Sequence, residues 1–282
     1  MRARVIPESC GFGSSLRIYM PVVFFLLVLS YRLGADTIGA RDAPAYSASS
    51  IVNSADNLVE PLAPNVIATI YGKNLAYATR ALSPGDVSGG NLPTVLPGTG
   101  VRVLVGGFMA NLYYVSPTQI NFLVPPILLP GAINIQVVID GLAGPPTPVQ
   151  LAAAAPALFQ LDTQYAVATR ADGSVITPAS PAKPGDVVVF YATGLGQTTP
   201  PVGYCELPTS AAWINQSADF RVVLDGVPLA QSAILYAGVA PGFAGLYQIN
   251  AILPQSTGVN PEVRVGFTET LSTPGVRLPV QP

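Results

Sequence analysis

Beyond an apolar stretch near its start, the chain keeps its hydrophobic residues in short runs, each cut by glycine or proline. Val187–Tyr191 is a β-branched and aromatic run entered through Pro184-Gly185-Asp186, the composition of a strand behind a turn. Arg221–Leu224 leads into Asp225-Gly226, and Ile133–Ile139 into Asp140-Gly141; both dipeptides favour two-residue hairpin turns. Gly106-Gly107 does the same after Val101–Val105, and Ala171-Asp172-Gly173 separates Tyr165–Arg170 from Ser174–Thr177. No segment sustains a helical period: Ala152–Ala155 is the one helix-friendly run, and Pro156 ends it. Strands at roughly ten-residue spacing with turns between them predict antiparallel sandwiches of about a hundred residues each. The expected fold class is all-β.

The pattern also repeats. Gln119-Ile120-Asn121-Phe122-Leu123-Val124-Pro125 returns 129 residues later as Gln248-Ile249-Asn250-Ala251-Ile252-Leu253-Pro254. Pro64–Leu75 matches Pro184–Leu195 at an offset of 120, and Val101–Gly107 matches Phe220–Gly226 at 119. The second copy therefore carries about ten extra residues before its Gln-Ile-Asn, around Ala237–Gly245. Length changes confined to Gly/Pro stretches mark a duplicated domain. Each copy has a long connection, 76–100 and 196–219, expected to hold edge strands or a covering flap. The divisions expected are a signal peptide at 1–35, an N-terminal linker at 36–50, module 1 at 51–152, a linker with a β-hairpin at 153–183, and module 2 at 184–282.

Composition narrows the setting. The 282 residues suffice for two domains with sizeable cores. Charged residues make up 10% of the chain, against about 25% in ordinary soluble domains. The formal net charge of −2 leaves no basic stripe for phosphates, so a nucleic-acid partner is not expected. Arg2, Arg4 and Arg17 precede an apolar run, Ile18–Leu29, and small residues follow at Gly34-Ala35 and Gly39-Ala40. That run is short of a bilayer span, so residues 1–35 are read as a cleaved secretory signal, the chain's only membrane contact. The product would be secreted, held at the cell surface, or periplasmic. Cys10 lies in the signal, leaving Cys205 as the mature cysteine: a buried apolar residue, an accessible thiol or an intermolecular link.

Longer motifs carry a resemblance. Leu112–Phe122, Tyr191–Gly196 and Ala240–Asn250 resemble the hallmarks of the Solibacter-type uncharacterised C-terminal domain family of acidobacterial secreted proteins. Similarity runs from about Ile51 to the C-terminus. The halves are also similar to immunoglobulin-like modules of the IPT/TIG type, in which an early strand ends in Gly-x-Asn-Leu or Gly-Leu-Gly. The resemblance implies tandem immunoglobulin-like antiparallel β-sandwiches and an exported protein; it supplies no activity and no catalytic residues.

The chain has no histidine, which removes Ser-His-Asp and Cys-His catalysis and histidine-based metal sites in their usual forms. No cofactor or metal is implied. Ser180-Pro181-Ala182-Lys183 has serine–lysine catalytic spacing, yet Pro184-Gly185 follows at once and the partner motifs are missing, so it reads as linker. Asp140, Asp172 and Asp225 each precede glycine, where aspartate shapes a turn; a glycoside hydrolase with paired carboxylates is the remotest reading. Asn121 and Asn250 are expected to serve backbone groups at a sheet edge or bulge, and Arg102 and Arg221 a solvated face or ion pair.

Aromatic residues remain as ligand handles. Tyr204 and Trp213, in the second long connection, are the candidate ligand-binding residues; the alternative is that Trp213 plugs the sandwich core. Tyr113, Tyr114, Tyr236 and Tyr247 are read as core or corner residues. The function expected is a non-enzymatic interaction or structural module with an unknown protein or glycan partner, glycan binding through loop aromatics being the sharper alternative.

Overall fold

The computed structural model describes residues 42–59 and 61–282. The expected signal segment, with Cys10, lies outside the described residues. Among those described, regular structure is strand throughout apart from three short 3-10 turns, Ala48–Ser50, Pro84–Asp86 and Gln231–Ala233. The chain is all-β, as its runs predict, and forms two antiparallel sandwiches in tandem.

In the first half, one sheet orders the strands Ile51–Asn53, Ile67–Tyr71, Gln119–Leu123, Asn111–Val115 and Arg80–Ala81. Its companion orders Thr147–Leu151, Gly131–Ile139, Val101–Val105 and Phe108–Met109, with Leu142–Ala143 also on Gly131–Ile139. In the second half, a seven-stranded sheet runs Ala157–Leu158, Val187–Thr193, Tyr247–Ile252, Ile234–Val239, Ala212–Ile214 and Thr198–Thr199; Ala168–Arg170 also joins Val187–Thr193. Opposite it lie Val227–Pro228, Phe220–Leu224, Val263–Phe267 and Thr270–Leu271. Residues 157–170, inside the segment expected to be a linker, thus supply strands to the second half's sheet.

Local chemistry explains the turns. Gly106-Gly107, Asp140-Gly141 and Asp225-Gly226 each place both residues at positive φ (59° and 87°, 47° and 86°, 46° and 81°), the twist that two-residue hairpins need. The Asp225 carboxylate accepts from the backbone N–H of Glu262, and that of Asp172 from Ser174. These aspartates are turn residues, as their spacing predicts.

The repeat is structural to the level of register. Thr69 faces Asn121 across the first pair of central strands, and Val189 faces Asn250 across the second. Each Gln-Ile-Asn strand meets its other neighbour through the same irregularity, one extra residue between Leu112 and Tyr114 and between Ile234 and Tyr236. Such a bulge re-aims the side chain after it. Here that side chain is a tyrosine in both halves.

Alternation along these strands fills two cores. Ile70, Leu112, Ile120 and Phe122 are fully buried in the first, Phe190, Phe220, Tyr247 and Ile249 in the second. Burying one such side chain contributes about 1.5–3 kcal/mol, so the pairing of sheets stabilises each half. The long second connection supplies the last two strands on one side of the sheet, Ala212–Ile214 and then the edge strand Thr198–Thr199, which Pro200 and Pro201 follow. Ala244, from the extra segment of the second half, packs into the first core together with Leu207.

Candidate functional site

On the seven-stranded sheet, every second residue leaves the core. Val188, Phe190, Ala192, Tyr247, Ile249, Ala251, Ala237, Val239 and Ile214 point inward. The outward positions between them form two rows. One row crosses the sheet as Thr199, Trp213, Gly238, Gln248 and Tyr191, each facing the next across a strand pair. The other crosses as Tyr236, Asn250, Val189 and Thr169.

The sequence arranges the aromatic end of this face through one glycine. A Cβ at Gly238 would collide with the carbonyl of Ala212 and the ring of Tyr236. Without it, the Tyr236 ring lies over Gly238 and its hydroxyl donates to the carbonyl of Val239 at 2.8 Å, with Ala212 at 3.3 Å. Trp213 then stands edge-to-face on that ring, centroids 4.9 Å apart at 72°, a favoured geometry for aromatic pairs. Trp213 remains 45% exposed. It does not plug the core; it lies on the outer face of the second strand in from the rim.

Beside the aromatic pair sits a fixed amide. The Gln248 Nε2 donates to the Asn250 Oδ1 at 2.8 Å, two residues along the same face. This leaves the Gln248 Oε1 as an acceptor and the Asn250 Nδ2 as a donor. At the far end, the hydroxyls of Tyr191 and Thr169 are 3.2 Å apart. Burial pushes the Tyr236 phenol upward, partly opposed by its hydrogen bond to Ala212, so it is a neutral hydroxyl at physiological pH. The face therefore offers ring surfaces, amides and hydroxyls.

The first half holds the same frame with less access. Tyr71, Gln119, Asn121 and Tyr114 occupy the matching positions, and Gln119 Nε2 again donates to Asn121 Oδ1 at 2.8 Å. There, however, Asn121 is 2% exposed and its Oδ1 also takes the Thr69 hydroxyl at 3.4 Å. The neighbouring edge strand is Arg80–Ala81, with no aromatic residue, and its arginine is committed to Asp86 at 2.7 Å. Both asparagines thus sit beside a bulge, as expected, but on central strands, and their oxygens serve glutamine side chains.

The remaining candidates fall elsewhere. Tyr204 belongs to the junction of the halves: its hydroxyl donates to the carbonyl of Met109 at 2.6 Å, and its ring meets Phe108 edge-on. Cys205 is 1% exposed, and its carbonyl accepts from the Leu92 N–H at 2.8 Å. Ser180 and Lys183 lie in bridged and turn backbone, Ser180 paired to Thr177 and Ala182 to Val280, so no helix brings the lysine back over the serine. Arg221 approaches Asp219 at 3.7 Å on the surface, and Arg102 points to solvent. Among the described residues, no three thiol or carboxylate groups gather as metal ligands.

Sequence reasoning singled out Trp213 but passed over Tyr191 and Gln248. The signal was available: both are outward members of alternating strands, Val187–Thr193 and Tyr247–Ile252. What alternation alone does not give is which strands are neighbours.

No protein-family model matches the chain, and no curated protein sequence matches it. Distant likenesses to solved structures include the surface glycan-binding protein PbSGBP-B of Prevotella bryantii, at 12% identity and a TM-score of 0.25, over 86% of this chain and 42% of that one. Another is the mixed-linkage glucan utilization locus SGBP-B of Bacteroides ovatus, at 11% identity and a TM-score of 0.30, over 90% and 69%. The Escherichia coli adhesin FdeC follows at 11% and 0.24, over 86% and 66%. The chain thus spans less than half of the first of these proteins. At such TM-scores the likeness carries no argument about what this chain binds.

Proposed function

We propose that the chain is an exported, non-enzymatic binding module that holds a glycan on the outer face of its seven-stranded sheet, at the cell surface or outside the cell. The observation that carries this reading is Trp213, 45% exposed and braced on Tyr236 beside the Gln248–Asn250 amide pair. Sugar rings present flat C–H faces and rims of hydroxyls. A propped aromatic surface takes the first, and the neighbouring amides take the second. Export is supported by the basic and apolar pattern of residues 2–29. Asp140, Asp172 and Asp225 are spread over separate turns, which lends a hydrolase no support.

The test uses the sole tryptophan of the sequence. Intrinsic fluorescence titrated with hits from a glycan array should shift on binding, and Trp213→Ala should abolish capture on the array. Retention of full binding by Trp213→Ala would remove the site. Capture of a protein partner through the same face, with no saccharide bound, would replace the glycan by a protein.

A further inference from the structure

Resting on that reading, we infer that the ligand is an uncharged, extended oligosaccharide lying across the strands from Trp213 to Tyr191. The charge argument comes from the strands themselves. Val187–Thr193, Tyr247–Ile252, Ile234–Val239 and Ala212–Ile214 contain no Asp, Glu, Lys or Arg. Nearby Arg170 spends its guanidinium on the carbonyls of Ser180 and Pro181, at 3.0 and 2.7 Å. An acidic glycan would meet no cation on these four strands. Recognition of carboxylate or sulfate groups calls for arginine or lysine, and this face has none to give.

Extent follows from register. Trp213 faces Gly238, Gly238 faces Gln248, and Gln248 faces Tyr191, so the two aromatic anchors are three strand spacings apart. At about 4.8 Å per spacing that is roughly 14 Å. Between them lie the Tyr236 ring, seated over Gly238, and then the amide pair. The track is aromatic pair, amide, aromatic. It fits a chain laid along it, with rings over the two ends and hydroxyls over the middle.

The experiment titrates the wild-type chain with oligosaccharides of increasing length, one series neutral and one bearing uronates, at low and high salt. Tyr191→Ala and Tyr191→Phe are measured alongside. The expected result is preference for the neutral series, affinity that rises with length and then levels, and no loss at high salt. Tyr191→Ala should weaken the long neutral chains roughly three- to tenfold and leave the shortest unchanged, while Tyr191→Phe stays within about twofold of wild type. Preference for uronates, or binding that weakens with salt, overturns the inference while leaving a Trp213-dependent glycan site standing. Affinity independent of length, or of Tyr191, overturns the track. Failure to bind any saccharide overturns both readings together.

Discussion

The hydroxyl of Tyr113, in the first half, donates to the carbonyl of Ala244, 131 residues further along, at 2.7 Å. It is one of several bonds that close the junction. The Thr193 hydroxyl donates to the Gly245 carbonyl at 2.7 Å and accepts the Ile67 N–H at 3.0 Å. The Tyr247 hydroxyl donates to the Gly196 carbonyl and accepts the Asn65 amide at 3.0 Å. The extra segment that distinguishes the second half is thus consumed in joining the two. Difference between copies is a guide to location, and here one difference locates a joint and another, Trp213, an open face.

Gly245 is a tight point of the joint. Its φ is +76°, and a Cβ there would stand 2.6 Å from the Leu123 Cδ1 and 2.7 Å from the Ile67 Cγ1. Gly242 has a similar φ of +84° with open space around it. Gly242→Ala should therefore cost only the backbone term, about 1–2 kcal/mol, and Gly245→Ala about 1–3 kcal/mol more from overpacking. Denaturant midpoints of the two variants measure the difference, and equal losses would mean that the joint is not tightly packed.

Tyr247 predicts the alkaline limit of stability. Burial pushes its phenol well above the ordinary value, with the Asn65 hydrogen bond a smaller opposing effect. The folded state keeps a proton that the unfolded state releases above about pH 10, so stability is full below that value and falls as pH rises beyond it. Tyr247→Phe should cost about 1–3 kcal/mol at neutral pH, because it leaves the Asn65 amide buried without its partner, and should flatten the alkaline limb. Thermal melts between pH 8 and 11 read both effects. A limb as steep in the variant as in the wild type would assign it to other groups.

The two asparagines, equal in sequence, should respond unequally. Asn121→Ala strips Gln119 and Thr69 of a buried acceptor and is expected to destabilise by about 1–3 kcal/mol. Asn250→Ala lies on a half-buried face where water can replace it, so the loss should stay below about 0.5 kcal/mol and appear in ligand binding instead. Paired unfolding and titration curves distinguish them, and a reversed order would exchange their roles.

Trp213→Ala serves as the control for the site. An exposed residue on the second strand in from the rim gives up its contact with Tyr236, worth about 0.5–1.5 kcal/mol, without opening a core cavity. Its stability should therefore stay within that margin while glycan capture disappears. A large loss of stability would mean that Trp213 supports the sheet.

Much of this was legible in the chain. The hairpins at 106–107, 140–141 and 225–226 follow from dipeptides whose residues tolerate positive φ, and the duplication follows from matched segments. The face was half legible. Tyr236 reads as a core or corner residue until the bulge after Ile234 is known, because the bulge resets its parity. Trp213 reads as a plug sooner than as a handle, since Ala-Trp-Ile alternates either way; only its pairing with Gly238 decides the side. Tyr204 reads as a partner of Trp213 by proximity along the chain, but its hydroxyl is taken by Met109 of the other half. Non-local pairing, not composition, made these distinctions.

The outermost strand of the seven-stranded sheet is only Thr198–Thr199, and Pro200 and Pro201 follow it at once. Proline brings no N–H to a ladder, and two residues offer a visiting strand almost nothing to pair with. A chain with half its residues hydrophobic and a tenth charged is otherwise poorly defended against sticking to its own copies. This blunt rim stops strand-by-strand growth beside Trp213, so crowded molecules can display the aromatic face without polymerising through it.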